Sequence, residues 1–244
     1  MMVRLRNVRC RSDGATTTTL PGGHCGRVHG GTLSAPRPAG PYDPAVVFES
    51  ALPSPRSSLI HPRRWWFVGS SGSGKTTYAR HLAAQLGVPH IEMDALFHQA
   101  DWTPAEAAAF RASIDAATAV DGWTMDGNYS AVRDLSFHRA EVMVALDFPR
   151  SLVMRQLIPR TLHRLVTQQE LWNGNTESWS NLWRWDPTRS VIRWSWTRHA
   201  AVKERIDWYE RLCAVRGTTF IRARSHAEVR EGISRVLGTD IFLG

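Results

Sequence analysis

The chain has 244 residues, 43% of them hydrophobic, which allows one substantial core with a small subdomain and excludes two full domains. A formal net charge of +8 and a pI near 10.2 favour polyanionic partners, nucleotides or nucleic acid, although the excess is diffuse and part of it lies near the N-terminus. Three cysteines, Cys10, Cys25 and Cys213, form no disulfide framework and fit a reducing, cytoplasmic setting, and no apolar run nears the roughly 18 residues that span a bilayer.

Residues 1–62 hold eight of the thirteen prolines together with a TTTT run, GG pairs and scattered arginines. They show no sustained periodicity of either regular kind, and the expectation is a disordered Pro/Gly/Arg-rich extension ahead of one domain over residues 63–244. A transit peptide would share the arginines, but the Pro/Gly density argues against an amphipathic helix; an over-extended gene start, with the true start nearer Arg56, is the other reading. His24, Cys25 and His29 have only Cys10 to add and no paired C-x₂-C, so they predict no zinc site.

Residues 65–86, WWFVGSSGSGKTTYARHLAAQL, read as a strand buried on both faces, a glycine-rich turn and a helix. Inside them Gly69 to Thr76 matches G-x-x-x-x-G-K-T, the phosphate-binding loop pattern. The loop Gly69, Ser70, Ser71, Gly72, Ser73, Gly74 supplies the cradle, its glycines letting successive N–H groups turn toward one anion. Thr76 and Thr77 open a helix whose positive end faces that anion. Lys75 is placed for the β- and γ-phosphates of ATP, and the Thr76 hydroxyl for Mg²⁺. Tyr78, Leu82 and Leu86 recur at helical spacing until Gly87 and Pro89 stop the helix, and Lys75 is one of only two lysines in an arginine-rich chain.

Val88 to Leu96 predicts a short second strand ending in Asp94, at the rim where α/β sheets bind ligands; a helix cap is the competing role for that carboxylate. Thr103, Pro104 and Glu106 predict a capping box opening a helix to about Thr118, with Ala107, Phe110, Ile114 and Ala117 as its apolar stripe. Trp123–Met125 predicts a third strand delivering Asp126, Glu141–Leu146 a fourth delivering Asp147, and Thr218–Arg222 a fifth. Ser225 and Glu228 box a last helix over residues 227–237. Strand and helix alternate, so the fold class is α/β with a parallel sheet and right-handed crossovers. Asp126 is favoured over Asp147 as the Mg²⁺ carboxylate, because Gly127 leaves its rim open whereas Asp147 suits a cap before the turn at Pro149.

The series GSSGSGKT, PHIEMDALF, WTP, GWTMDGNY, RAEVMVALDFPR and ELWNGNTES resembles the adenylate-kinase-related P-loop proteins called DNA topology modulation (FlaR-like) proteins, over residues 65–244. The resemblance implies a P-loop NTPase three-layer sandwich of nucleoside-monophosphate-kinase type. Its five-stranded sheet would have the order 2-3-1-4-5, with a helical, arginine-bearing lid after the fourth strand. It also implies that the Asp-Gly ending strand three lies beside the P-loop near magnesium. Where true adenylate kinases carry an acceptor-gripping arginine after that Asp-Gly, this chain has Asn128 and Tyr129, which argues against AMP as acceptor.

The lid expectation covers residues 160–190. Arg160 and Arg164 share an i, i+4 spacing on the helix after strand four, and Arg189 and Arg193 repeat it at the start of the next helix; they read either as a clamp on a transferring phosphoryl group or as a solvated basic face. Trp172, Trp179, Trp183, Trp185, Trp194 and Trp196 crowd the same segment, as a small lid core with one or two rings free to stack on a base or an acceptor. Asn173, Gly174, Asn175 and Glu177 suit a polar turn at the lid tip. Two functional classes follow. One is a small-molecule or nucleotide kinase using ATP and Mg²⁺, with Asp94 orienting or deprotonating an unknown acceptor. The other is a nucleic-acid-associated ATP-binding protein modulating DNA topology, though no DNA-reading module is visible.

Overall fold

A computed structural model describes residues 61–179 and 190–239. Five parallel strands form one sheet in the order β2-β3-β1-β4-β5. In chain order these are β1 Arg64–Gly69, β2 His90–Glu92, β3 Trp123–Asp126, β4 Val142–Leu146 and β5 Thr219–Ala223. The helices between them are α1 Lys75–Leu86, α2 Met93–Phe97, α3 Ala107–Ala117, α4 Arg133–Arg139, α5 Arg150–Thr167, α6 Val191–Arg216 and α7 His226–Leu237. The α/β class, the parallel sheet and its strand order therefore match the expectation. No helix among the described residues is long and apolar enough to cross a membrane.

The central strand explains why its sequence has no polar alternation. β1 lies between β3 and β4, and Trp65 to Gly69 are all buried because helices cover both faces. Trp65 and Phe67 join one cluster with Tyr78 and Leu82 of α1, Leu157 of α5, and Val229 and Ile233 of α7. Trp66 points the other way, meets Tyr209 of α6 edge-on at 5.4 Å, and donates its indole N–H to Gly127 O at 3.1 Å. Fully burying one such side chain contributes roughly 1.5–3 kcal/mol, so the sheet and its two helical layers stabilise one another. Chain order along the sheet reverses about β1, and open α/β sheets bind ligands beyond the carboxyl ends of the strands at such a point.

Two expected elements differ. The second strand stops at Glu92, and Met93 begins the short helix α2, so Asp94 sits in a helical first turn and not at a strand end. The turn of chain is imposed by β3: Gly127 approaches Met93 so closely that a Cβ there would lie 2.6 Å from the Met93 Cβ. The second difference is α3, which starts at Ala107 with Glu106 as its N-cap, accepting from Ala108 N and Ala109 N at 2.9 and 3.0 Å. Thr103–Ala105 are diverted from the helix because their backbone pairs with the preceding segment: Gln99 N donates to Thr103 O at 2.8 Å, and Ala105 N to Phe97 O at 2.7 Å. Within α3 the buried stripe narrows to Phe110 and Ile114.

Of the lid expectation, Arg160 and Arg164 lie on α5 as its spacing required, and Arg193 lies in the first turn of α6. Arg189, Trp183 and Trp185 fall outside the described residues, as do residues 1–60 with His24, Cys25 and His29.

Candidate active site

Gly69, Gly72 and Gly74 take φ values of 148°, 87° and 91°, carrying the chain from β1 round to the start of α1. Gly72 is also a packing position, since a Cβ there would sit 2.7 Å from the Leu157 Cβ of α5. Lys75 opens α1 and its ammonium donates back to Ser70 O at 3.0 Å. Burial holds its pKa below the ordinary lysine value; Asp126, Asp94 and Glu92 oppose that shift and Arg160 adds to it. One ammonium is thus in the field of both expected carboxylates and of the nearest α5 arginine.

Thr76 Oγ1 donates to Asp126 Oδ2 at 2.6 Å, joining the P-loop helix to the end of β3. The parallel register makes this possible, because Asp126 pairs with Phe67 of β1, two residues before the loop begins. The other oxygen, Oδ1, lies 3.0 Å from His90 Nε2. The hydroxyl and carboxylate are hard oxygen donors of the kind magnesium takes, and they fit an ion that keeps waters and phosphate oxygens as its remaining ligands. Among the described residues no three His, Cys, Asp or Glu side chains are grouped to hold a metal by themselves, so a cation here would depend on its nucleotide.

Asp147 has a different occupation. Its Oδ2 accepts from Arg222 Nε at 2.9 Å and from an Arg222 terminal nitrogen at 2.7 Å, and Lys203 lies 3.6 Å from its Oδ1. It does not cap α5, whose N-cap is Pro149. A carboxylate gripped by Arg222 on neighbouring β5 ties the strand ends together instead.

Asn128 closes the loop from the β3 side. Its amide donates to Gly69 O at 2.6 Å and accepts from Gly69 N at 3.2 Å, as a neighbouring strand residue would. On the other flank Ser195 of α6 donates to Ser71 O at 3.1 Å, placing the first turns of α6, and with them Arg193, beside the P-loop.

Opposite the loop, Asp94 Oδ1 accepts from the Tyr129 hydroxyl at 2.6 Å, and His98 Nε2 lies 3.4 Å from the same hydroxyl. Burial and the Asp94 charge raise the phenol pKa, so Tyr129 stays a donor. Burial likewise lowers the His98 pKa, with Asp94 opposing. Glu92, which pairs in register with Asp126, has its pKa raised first by burial and then by Asp126, while the Trp172 side chain hydrogen-bonds it and pulls the other way.

The polar turn expected at a lid tip docks on this wall. Trp172–Gly174 forms a 3₁₀ turn with Asn173 at φ 56°, and the Asn173 amide donates to His98 O at 2.5 Å. Buried Asn175 accepts from Trp102 N at 2.8 Å and donates to Gln99 O at 2.8 Å. Trp172 stacks on His98 at 5.8 Å, so this indole packs within the wall, while Trp179 and Trp196 stay exposed. Arg164 pairs with Glu177 at 3.4 Å. The Arg160 pKa is lowered by burial and then by Arg164, opposed by Glu177, Asp94 and Glu92.

No protein-family model matches the chain, and no curated protein is significantly similar to it. Solved structures are similar to it. A gluconokinase from Sinorhizobium meliloti aligns with 73% of this chain and 93% of its own at 18% identity and a TM-score of 0.41. A shikimate kinase from Bacteroides thetaiotaomicron covers 72% and 97% at 12% identity and a TM-score of 0.44. A shikimate kinase from Acinetobacter baumannii, in complex with shikimate, covers 72% and 94% at 17% identity and a TM-score of 0.41.

The structure thus joins Thr76 to Asp126 directly and sets Asp126, Asp94 and Arg160 within electrostatic reach of Lys75. Sequence reasoning did not single out His90, His98 and Ser195, and it named Asn128 and Tyr129 only as a departure from the acceptor-gripping arginine, without their contacts. His90 was within reach, since a strand puts it on the same side as Glu92. Asn128 and Tyr129 stood inside the DGNY stretch, but their partners Gly69 and Asp94 are 59 and 35 residues away in sequence, and nothing local announces such contacts.

Proposed function

We propose that the chain is an ATP-dependent phosphotransferase acting on a hydroxyl-bearing small molecule, with Mg²⁺ as cofactor. The observation that carries this reading is the 2.6 Å hydrogen bond from Thr76 Oγ1 to Asp126 Oδ2, which joins the glycine-rich loop and its Lys75 to the end of β3. The backbone N–H groups of Gly69–Gly74 bind the β-phosphate and Lys75 bridges toward the γ-phosphate. Thr76 and Asp126 would hold magnesium, which when bound would supply positive charge to the phosphate oxygens. Asp94, fixed by the Tyr129 hydroxyl, accepts the proton of the acceptor hydroxyl. The acceptor oxygen forms its bond to the γ-phosphorus as the bond to the β–γ bridging oxygen breaks, and ADP leaves. Arg160 neutralises charge on the equatorial oxygens, with Arg164 and Arg193 flanking it. The stretch Asp126-Gly127-Asn128-Tyr129, which lacks the acceptor-gripping arginine of adenylate kinases, favours a hydroxyl over a nucleoside monophosphate as acceptor.

The motif resemblance adds membership of the DNA topology modulation (FlaR-like) group to the proposal. It does not carry a nucleic-acid function, and arginines such as Arg64, Arg139 and Arg222 are engaged in ion pairs with Glu141, Asp115 and Asp147 of the domain itself. The test is ADP release from ATP·Mg²⁺ over a panel of polyols, sugars and hydroxy acids. An acceptor-dependent signal lost on the order of 10²-fold in Asp94→Asn is the expected result. Equal ADP release with and without every acceptor, unchanged in Asp94→Asn, would overturn the transferase reading.

A further inference from the structure

Asp126 has two carboxylate oxygens, and each has its own donor. Oδ2 takes the Thr76 hydroxyl at 2.6 Å and Oδ1 faces His90 Nε2 at 3.0 Å. A carboxylate oxygen only accepts, so His90 Nε2 carries a proton and donates it. The side chain of Asp126 is 3% exposed and that of His90 13%, so the pair is shielded on the sheet's edge between β2 and β3. A buried carboxylate with a donor on one oxygen can still swing about its terminal torsion, which is broad and roughly two-fold; a second donor on the opposite oxygen fixes the plane. With an ion held by Oδ2 and the Thr76 oxygen, His90 Nε2 would hold the other carboxylate oxygen in place. Groups that orient a metal's ligands through hydrogen bonds commonly change metal affinity 10–100-fold when removed.

We propose that His90 is a positioning residue for the divalent ion, holding Asp126 Oδ1 so that Oδ2 stays aimed at Thr76 and the P-loop. The proposal rests on the reading of Thr76 and Asp126 as the magnesium pair. It assigns no proton transfer to His90 and no contact with ATP.

The test is nucleotide affinity by calorimetry, with EDTA and then with excess Mn²⁺, alongside a melting temperature for each variant. Wild-type protein is expected to bind ADP more tightly with the ion present. In His90→Ala the EDTA affinity is expected to stay the same and the gain from Mn²⁺ to shrink about 10-fold or more. His90→Gln, whose amide nitrogen stands where Nε2 does, is expected to recover most of the gain; His90→Asn, with its donor drawn back, is not. The recovery pattern between Gln and Asn serves if His90→Ala does not fold. If His90→Ala keeps the whole gain while Asp126→Asn loses it, His90 positions nothing, yet the magnesium pair stands. If Asp126→Asn also keeps the gain, the magnesium reading fails and takes this inference with it. Equal losses with EDTA and with Mn²⁺ across the His90 variants would make the ring a structural prop of the loop and overturn the proposal.

Discussion

A hydroxyl and a carboxylate 2.6 Å apart, Tyr129 and Asp94, are the smallest unit on which the proposed chemistry turns. The phenol orients Asp94 without supplying charge, so Tyr129→Phe should lower turnover about 10-fold, with little change in ATP affinity, because one hydrogen bond to a charged group is worth about 1.5–3 kcal/mol at most. Steady-state kinetics on an active acceptor, beside ATP titration, would check this; equal loss of ATP affinity would place Tyr129 on the nucleotide side. The arginines separate in the same way. Arg164 is paired with Glu177 at 3.4 Å, whereas Arg160 feels the site's carboxylates. Arg160→Ala should therefore cost on the order of 10²-fold in kcat, and Arg164→Ala clearly less. The reverse order would move the charge-stabilising role to Arg164.

Among the elements, strands were more legible in the sequence than the connections between them. Residues 65–68 of β1 and all of β4 are continuous apolar runs closed by Gly69 and Asp147, the pattern of a buried parallel strand, and β3 is interrupted only by Thr124, whose hydroxyl donates to Ala79 O at 2.8 Å. The ends of β2 and the start of α3 were not legible, because Met93 turns to meet Gly127 and Thr103–Ala105 pair with residues 97–99, contacts that depend on the packed fold. Gly127→Ala tests the first of these: at φ 142°, with Met93 in contact, the added methyl should destabilise by about 1–3 kcal/mol in chemical denaturation. A second element-scale prediction concerns the entry to β1. Glu141 accepts from Arg63 N at 2.8 Å, Arg64 N at 3.0 Å and the Arg64 guanidinium at 2.9 Å. Burial alone would raise its pKa, but Arg64 and these N–H groups outweigh it and hold it below the ordinary value of 4.5. A lowered folded-state pKa adds stability above the unfolded value, and that stability is lost as pH falls through the folded one. Glu141→Gln should accordingly melt below wild type at neutral pH, with the gap closing as the pH is taken down past the carboxylate range. A gap that stays constant with pH would remove the ion pair from the account.

Among the described residues an apolar cluster runs from Trp65 to Leu237. The Pro/Gly-rich composition of residues 1–60 predicts that deleting them leaves the melting temperature and ATP affinity unchanged, and a fall of more than about 5 °C would show that the domain boundary lies elsewhere. In the proposed reading, the sheet order, the loop and the pairing of Thr76 with Asp126 together make one nucleotide site at the reversal about β1. The most direct measurement of that claim is calorimetric titration of ATP·Mg²⁺ into the wild-type chain and into Lys75→Ala. Saturable one-to-one binding that weakens at least about 10-fold in Lys75→Ala, with an unchanged melting temperature without nucleotide, is the expected result. Absence of ATP binding in the wild type, or equal affinity in the two proteins, would contradict it.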